Sequence, residues 1–155
     1  MIALTSAAEL EPHVGTVLGT STWTTVAPED IAQFGRLTRD EHWIHVDQER
    51  AAREGPFGDV IAHGFLLLSL TTGLANEVYS VANAIHWTNY GLDRVRFTAP
   101  VVAGSRVRLK LSLAEWAATP TGYRIVLGCE LELEDSPRPA LVADWIVLIT
   151  EGGPR

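Results

Sequence analysis

Phe65-Leu-Leu-Leu-Ser-Leu-Thr-Thr-Gly-Leu-Ala-Asn-Glu-Val78 is the most apolar stretch of the chain. Read as a helix, its Phe65, Leu66, Leu67, Leu68, Leu70, Leu74, Ala75 and Val78 cover most of the circumference through the first two turns. A helix with so little polar surface must be nearly enveloped by other elements. The chain beyond it supplies them. Val107, Leu109, Leu111 and Leu113 alternate with Arg106, Arg108, Lys110 and Ser112. Ile125, Leu127, Cys129, Leu131 and Leu133 alternate with Val126, Gly128, Glu130, Glu132 and Glu134. A period of two with one apolar face predicts antiparallel strands, packed on one side and wet on the other. Residues 90–99 supply a strand before this pair, and residues 141–149, apolar on both faces, a central strand after it. Turn-forming residues punctuate the run at 100–105, 119–122 and 136–139. One apolar helix followed by a meander of four strands predicts an α+β fold, with a curled antiparallel sheet around the helix.

Upstream of the helix the pattern differs. Ser6-Ala-Ala-Glu9 has the form of a capping box for a short helix. Residues 17–26, rich in threonine and containing Trp23, read as one strand. Pro28-Glu29-Asp30 opens a second helix, with proline at its first position and acids where the helix dipole favours them. Ile31, Phe34 and Leu37 form its apolar stripe. From 39 to 64 the periodicity collapses, leaving a long loop with at most one short helix from 47 to about 53. Loops of that length within a domain tend to carry function.

The 155 residues predict one domain spanning 1–155. A formal charge of −7, from 12 basic and 19 acidic side chains, opposes binding to nucleic acid and to anionic membrane surfaces. The apolar run at 60–70, broken by His63, Gly64 and Ser69, is far short of the ~20 residues that span a bilayer. The single cysteine, Cys129, rules out an internal disulfide and, with no basic-then-apolar leader at the N-terminus, predicts a cytoplasmic location. Its alternation with Leu127 and Leu131 predicts a core residue.

The densest cluster of ionisable groups is Arg39-Asp-Glu-His-Trp-Ile-His-Val-Asp47. Three readings compete for it. Asp40 and His45 could form an acid/base pair around one water, the carboxylate taking a proton and the imidazole supplying one. His42 and His45 could instead form a metal pair completed by Asp47, His63 or His86. The segment could also be a solvated turn without chemistry. Downstream, the turn Gly55-Pro-Phe-Gly58 precedes Ala62-His-Gly-Phe65 at the start of the apolar helix. Unpaired N–H groups at a helix N-terminus can hold an oxyanion, and Gly64 presents no side chain to keep a carbonyl away.

Taken together, Asp40-Glu-His-Trp-Ile-His-Val-Asp47, Gly55-Pro-Phe-Gly58, Ile61-Ala-His-Gly-Phe-Leu66, Asn89-Tyr-Gly-Leu92 and Val95-Arg-Phe-Thr-Ala-Pro-Val101 resemble the MaoC-like, (R)-specific enoyl-CoA hydratases. The likeness covers nearly the whole chain in the family's order. It implies a single hot-dog domain. It places the catalytic aspartate on Asp40, the histidine on His45, the oxyanion glycine on Gly64 and a hydroxyl residue of the helix on Thr72. Family members usually carry glycine where this chain has Arg39, and an amide residue where it has His42.

The resemblance implies reversible hydration of a trans-2-enoyl-CoA to an (R)-3-hydroxyacyl-CoA. The CoA thioester is the substrate, with no metal and no redox cofactor. Trp43, Phe57, Phe65, Trp87 and Tyr90 are candidate walls for the acyl tail, and Arg94 and Arg96 candidate contacts for the CoA phosphates. His63 and His86 read as structural. A homodimer is implied, since a curled sheet exposes an edge that a second copy can cover. A hot-dog thioesterase and a non-catalytic acyl-thioester binding protein are the competing functions.

Overall fold

The computed structural model describes residues 1–152. Its first element is strand β1 (Ile2–Leu4), followed by a 3-10 helix, Ala7–His13. The capping box is present: Ser6 Oγ accepts from Ala8 N–H, and Glu9 Oε1 accepts from Ser6 N–H at 3.1 Å. Pro12 lies inside this segment and brings no N–H to a helical ladder.

The strand expected over 17–26 is two strands, β2 (Val17–Thr20) and β3 (Thr24–Thr25). Between them the side chains take over the bonding. Ser21 Oγ accepts from Leu109 N–H at 2.9 Å, and Thr22 donates both its N–H and its hydroxyl to Glu77 at 2.8 Å. Helix α1 (Pro28–Thr38) begins at Pro28 with Glu29 and Asp30 in its first turn.

The loop after α1 holds two short helices where at most one was expected: α2 (Trp43–Val46) and α3 (Gln48–Glu54). Asp47 caps α3 by accepting from Arg50 N–H at 3.0 Å. A single turn such as α2 has no apolar period to read and is held by bonds to distant backbone. Helix α4 (Gly64–Ala75) is the apolar element, and at 12 residues it stops three short of the expected Val78. Strand β4 (Tyr79–Val81) follows, pairing in parallel with β1, a pairing too short to show a period.

Four long strands complete the fold: β5 (Ala84–Phe97), β6 (Arg106–Thr119), β7 (Gly122–Leu133) and β8 (Leu141–Glu151). The main sheet runs β2-β6-β7-β8-β5 with antiparallel neighbours, and β3 also pairs with β6. It curls around α4, which packs against β6, β7 and β8 in the hot-dog arrangement. Leu109, Leu111, Leu113, Ile125, Leu127, Leu131 and Ile149 are fully buried, and Cys129 lies in the same core. On the wet face, Arg106 pairs with Glu134, Arg108 with Glu132 and Lys110 with Glu130 across β6 and β7.

The envelope is open on one side. Leu66, Leu67, Leu74 and Ala75 are buried, yet Phe65 is 69% exposed. Edge strand β5 pairs only with β8 and leaves Ile85, Trp87, Tyr90, Leu92 and Phe97 exposed. No helix among the described residues is long and apolar enough to cross a membrane.

Candidate active site

The site is assembled where α1 ends, α2 turns and α4 begins. Arg39 terminates α1 in the left-handed region, φ 62° and ψ 23°. That turn delivers Asp40 toward α4. The conformation explains why a glycine suits this position, since an L side chain there costs about 1–2 kcal/mol. Gly35 of α1 makes room beside it: a Cβ on Gly35 would stand 3.1 Å from the Asp40 carbonyl oxygen and 3.5 Å from the His63 ring.

His45 is held from the other side. Its Nδ1–H donates to the Ile61 carbonyl at 2.7 Å, while Ile61 N–H donates to the Ile44 carbonyl at 3.0 Å. The carbonyl can only accept, so Nδ1 carries the hydrogen and Nε2 is the working nitrogen. His63, just before α4, donates from Nε2 to the Asp40 carbonyl at 2.8 Å. Its ring stacks on that of His45 at 3.8 Å and touches Phe34 at 5.2 Å. Its Nδ1 is buried with no partner among the described residues. Asp40, His45 and His63 thus bring one donor atom each within 4.8 Å of one another.

Those three atoms raise the metal reading again, with a different membership. His42 is outside the group, at the N-cap of α2 beside Trp43, and Asp47 is occupied as the cap of α3. Imidazole lone pairs lie in the ring plane, and the two rings are stacked with their planes 25° apart. One nitrogen of each ring is committed to a backbone carbonyl, His45 Nδ1 to Ile61 and His63 Nε2 to Asp40. The arrangement suits proton exchange with a bound water better than a tetrahedral centre.

Gly64 opens α4, so its N–H has no intrahelical acceptor and sits at the positive end of the helix. A Cβ on Gly64 would meet the Phe97 ring at 2.9 Å. His45, Gly64, Leu67 and Phe97 line one cavity of about 310 Å³, together with residues 98–101. Of the lining residues, the reading of the sequence assigned His45 and Gly64 to the site and missed the others, Phe97 among them. The signal for Phe97 lay in Val95-Arg-Phe-Thr-Ala-Pro-Val101, where alternation alone does not say which strand end meets the helix.

The other candidates are dispersed. Phe65 leans on Phe97 with ring centres 5.9 Å apart, at the open side of the cavity. Trp43 is half-buried under the Arg50 guanidinium, 4.6 Å from its ring. Phe57 and Tyr90 are exposed, outside the cavity. Thr72 and Trp87 line a separate cavity at the far end of α4. Arg94, at φ 52°, is ion-paired with Asp144 of the neighbouring strand, and Arg96 donates to the Val95 carbonyl.

Comparison with known proteins places this arrangement. Residues 9–120 match the family model for the MaoC-like domain. The chain is 43% identical over 143 residues to 3-hydroxyacyl-thioester dehydratase Z of Mycobacterium tuberculosis, covering 92% of this chain and 94% of that protein. It is 42% identical over 150 residues to nodulation protein N of Rhizobium leguminosarum bv. viciae, covering 93% and 91%. R-hydratase PhaJ1 from Pseudomonas aeruginosa has the same fold, with a TM-score of 0.76 at 23% identity over 96% of this chain and 88% of that one. The chain belongs to the MaoC-like dehydratase family of hydro-lyases.

Proposed function

We propose that the protein catalyses the reversible (R)-specific hydration of a trans-2-enoyl-CoA, with Asp40 and His45 acting on one water and Gly64 receiving the thioester oxygen. The observation that carries this reading is the shared geometry: Asp40 and His45 present donor atoms within 4.8 Å, and His45 and Gly64 line the same cavity. Asp40 accepts a proton from the water as its oxygen bonds to C3. The C2–C3 π electrons move toward the thioester, and charge develops on its oxygen. Gly64 N–H, at the positive end of α4, stabilises that charge. His45, acting as the imidazolium with its Nδ1–H held by the Ile61 carbonyl, then delivers the Nε2 proton to C2 on the same face. Transfer of the proton on Asp40 to His45 restores both groups. Acid–base chemistry suffices, so the reaction calls for neither metal nor redox cofactor.

The exposed apolar edge supports a homodimer in which β5 of one copy pairs with β5 of another. Tyr90, Leu92 and Phe65 would then be covered, closing the open side of the cavity. The reducing cytoplasm, where acyl-CoA is found, suits a chain with one buried thiol. The test is loss of enoyl-thioester absorbance with crotonyl-CoA, combined with chiral analysis of the product. An (R)-3-hydroxyacyl product supports the reading. Release of free thiol in place of hydration would assign a thioesterase.

A further inference from the structure

The Phe97 ring occupies a place that α4 leaves free for it. Gly64 is the first residue of the helix, and three atoms of the ring stand 2.9 Å from where its Cβ would be. A side chain at 64 would therefore have to displace the ring or the helix. The strand register accounts for the approach. Phe97 lies opposite Leu141, which is fully buried, and cross-strand partners leave a sheet on the same face. Strand β5 thus sends its last side chain toward the start of α4.

The ring is partly exposed, yet the backbone that carries it is anchored on two sides. Thr98 donates its N–H to the Ala140 carbonyl at 2.9 Å and its hydroxyl to the Pro139 carbonyl at 2.5 Å. At the other end of the segment, the Val101 carbonyl accepts from Ala62 N–H at 2.8 Å. Ala62 follows Ile61, whose carbonyl holds His45. Phe97 and His45 are consequently fixed to one frame on either side of Gly64. The ring also leans on Phe65, with centres 5.9 Å apart and planes 60° apart, so it can yield only by disturbing a second ring.

That frame bears on the carbon next to the thioester. An oxygen accepting from Gly64 N–H lies about 2.9 Å from the nitrogen, which keeps the carbonyl carbon and C2 within about 5 Å of it. His45 and Phe97 line the same cavity as Gly64. With C2 presented to His45 for protonation, the ring bounds the space left for a substituent on C2. Resting on the proposed hydratase reaction, we propose that Phe97 is a specificity-determining residue that admits enoyl thioesters with hydrogen at C2 and rejects those branched there. Gly64 serves this selection too, because its missing side chain lets the ring approach.

The test compares crotonyl-CoA with tiglyl-CoA, its 2-methyl homologue, in the wild type, Phe97→Leu and Phe97→Ala. A 2-methyl group slows addition to the alkene by itself, so the readout is the change between proteins in the crotonyl-to-tiglyl ratio of kcat/KM. One methyl group against an apolar wall is worth about 10- to 200-fold in selectivity. The ratio is expected to fall by about tenfold or more in Phe97→Ala and by less in Phe97→Leu. A ratio unchanged in Phe97→Ala, even with both rates lowered together, overturns the proposal. Phe97→Leu keeps an apolar side chain beside Leu141 and carries the same test if the alanine variant does not fold. Thermal stabilisation by butyryl-CoA and 2-methylbutyryl-CoA, which have no double bond to hydrate, reads the wall without turnover. Absence of hydration with both enoyl thioesters defeats the hydratase reading alone, and the wall is then judged by these shifts. Stronger stabilisation by butyryl-CoA in the wild type that is lost in Phe97→Leu supports it. Equal stabilisation of the wild type by the two, or a difference unchanged in the variant, overturns it.

Discussion

His45 and His63 stack ring on ring at 3.8 Å, and the second of them also holds the backbone of Asp40 through a 2.8 Å hydrogen bond. One buried ring thereby fixes the spacing of the two groups proposed to share a water. His63, only 3% exposed, packs against His45 and bonds the backbone of Asp40, which makes it a positioning residue. Replacing it with phenylalanine keeps a ring in place and removes the bond to Asp40. The expected result is a fall in kcat of about 10²-fold with KM little changed, because misplacement of reacting groups by an ångström has effects of that order. A structural role alone would lower Tm and leave kcat of the folded fraction intact.

The pair itself makes the strictest demand. Asp40→Asn removes the proton acceptor and His45→Gln the proton donor, while each preserves approximate shape. Each is expected to lower the rate of enoyl-CoA hydration by roughly 10² to 10⁴. Circular dichroism should show both variants folded, since Asp40 is exposed and His45 contributes one side-chain bond, to Ile61. Full activity in either variant would remove that residue from the mechanism.

Cys129 should be chemically silent. Burial in the core pushes its thiol up to about 12, with Asp144 adding to the shift, so little thiolate exists at neutral pH. A thiol-reactive chromogen is expected to give no signal with the native protein and one equivalent after denaturation in guanidinium. Rapid modification of the native protein would place the thiol at the surface.

The fold was legible in the sequence where apolar residues repeat and illegible where bonds come from far away. Strands β6, β7 and β8 and helix α4 announce themselves because each buries apolar residues in the same core, and the alternation of Leu127, Cys129 and Leu131 is enough to orient β7, whereas β5, expected from residue 90, begins at Ala84 and buries none of its residues. Helix α2 and the β1–β4 pair are invisible by the same logic. Each is a turn or a few residues long and is held by partners distant in sequence, Ile61 for α2 and Tyr79–Val81 for β1. At the site, the chemical types of Asp40, His45 and Gly64 could be read locally. The tie from His63 to Asp40 and the Phe97 ring over Gly64 span 23 and 33 positions, and no local period encodes them.

Arg39 shows how a departure from the family pattern can be accommodated. Its φ of 62° is the conformation that glycine adopts without strain, and the arginine adopts it at the end of α1. Arg39→Gly should therefore leave Tm and hydration near wild-type values. Arg39→Val, β-branched and poorly suited to that region, should be less stable than the glycine variant by about 1–2 kcal/mol in denaturant unfolding. Equal stability of the two would mean that the turn relaxes out of the left-handed region.

Gly64 is constrained in space as well as in chemistry. The Phe97 ring lies where its Cβ would be, 2.9 Å away, so Gly64→Ala must move either the ring or the start of α4. Overpacking of this kind costs about 1–3 kcal/mol, and Phe97, 46% exposed, has room to yield, which places the expected loss near the lower end. The double variant Gly64→Ala with Phe97→Leu relieves the clash and should recover most of that stability. Hydration should not recover with it. If Gly64 matters only because it fits beneath Phe97, the double variant regains activity together with Tm. If its bare N–H is what receives the thioester oxygen, the added methyl still stands between that N–H and the substrate, and kcat stays low in a protein that is again stable.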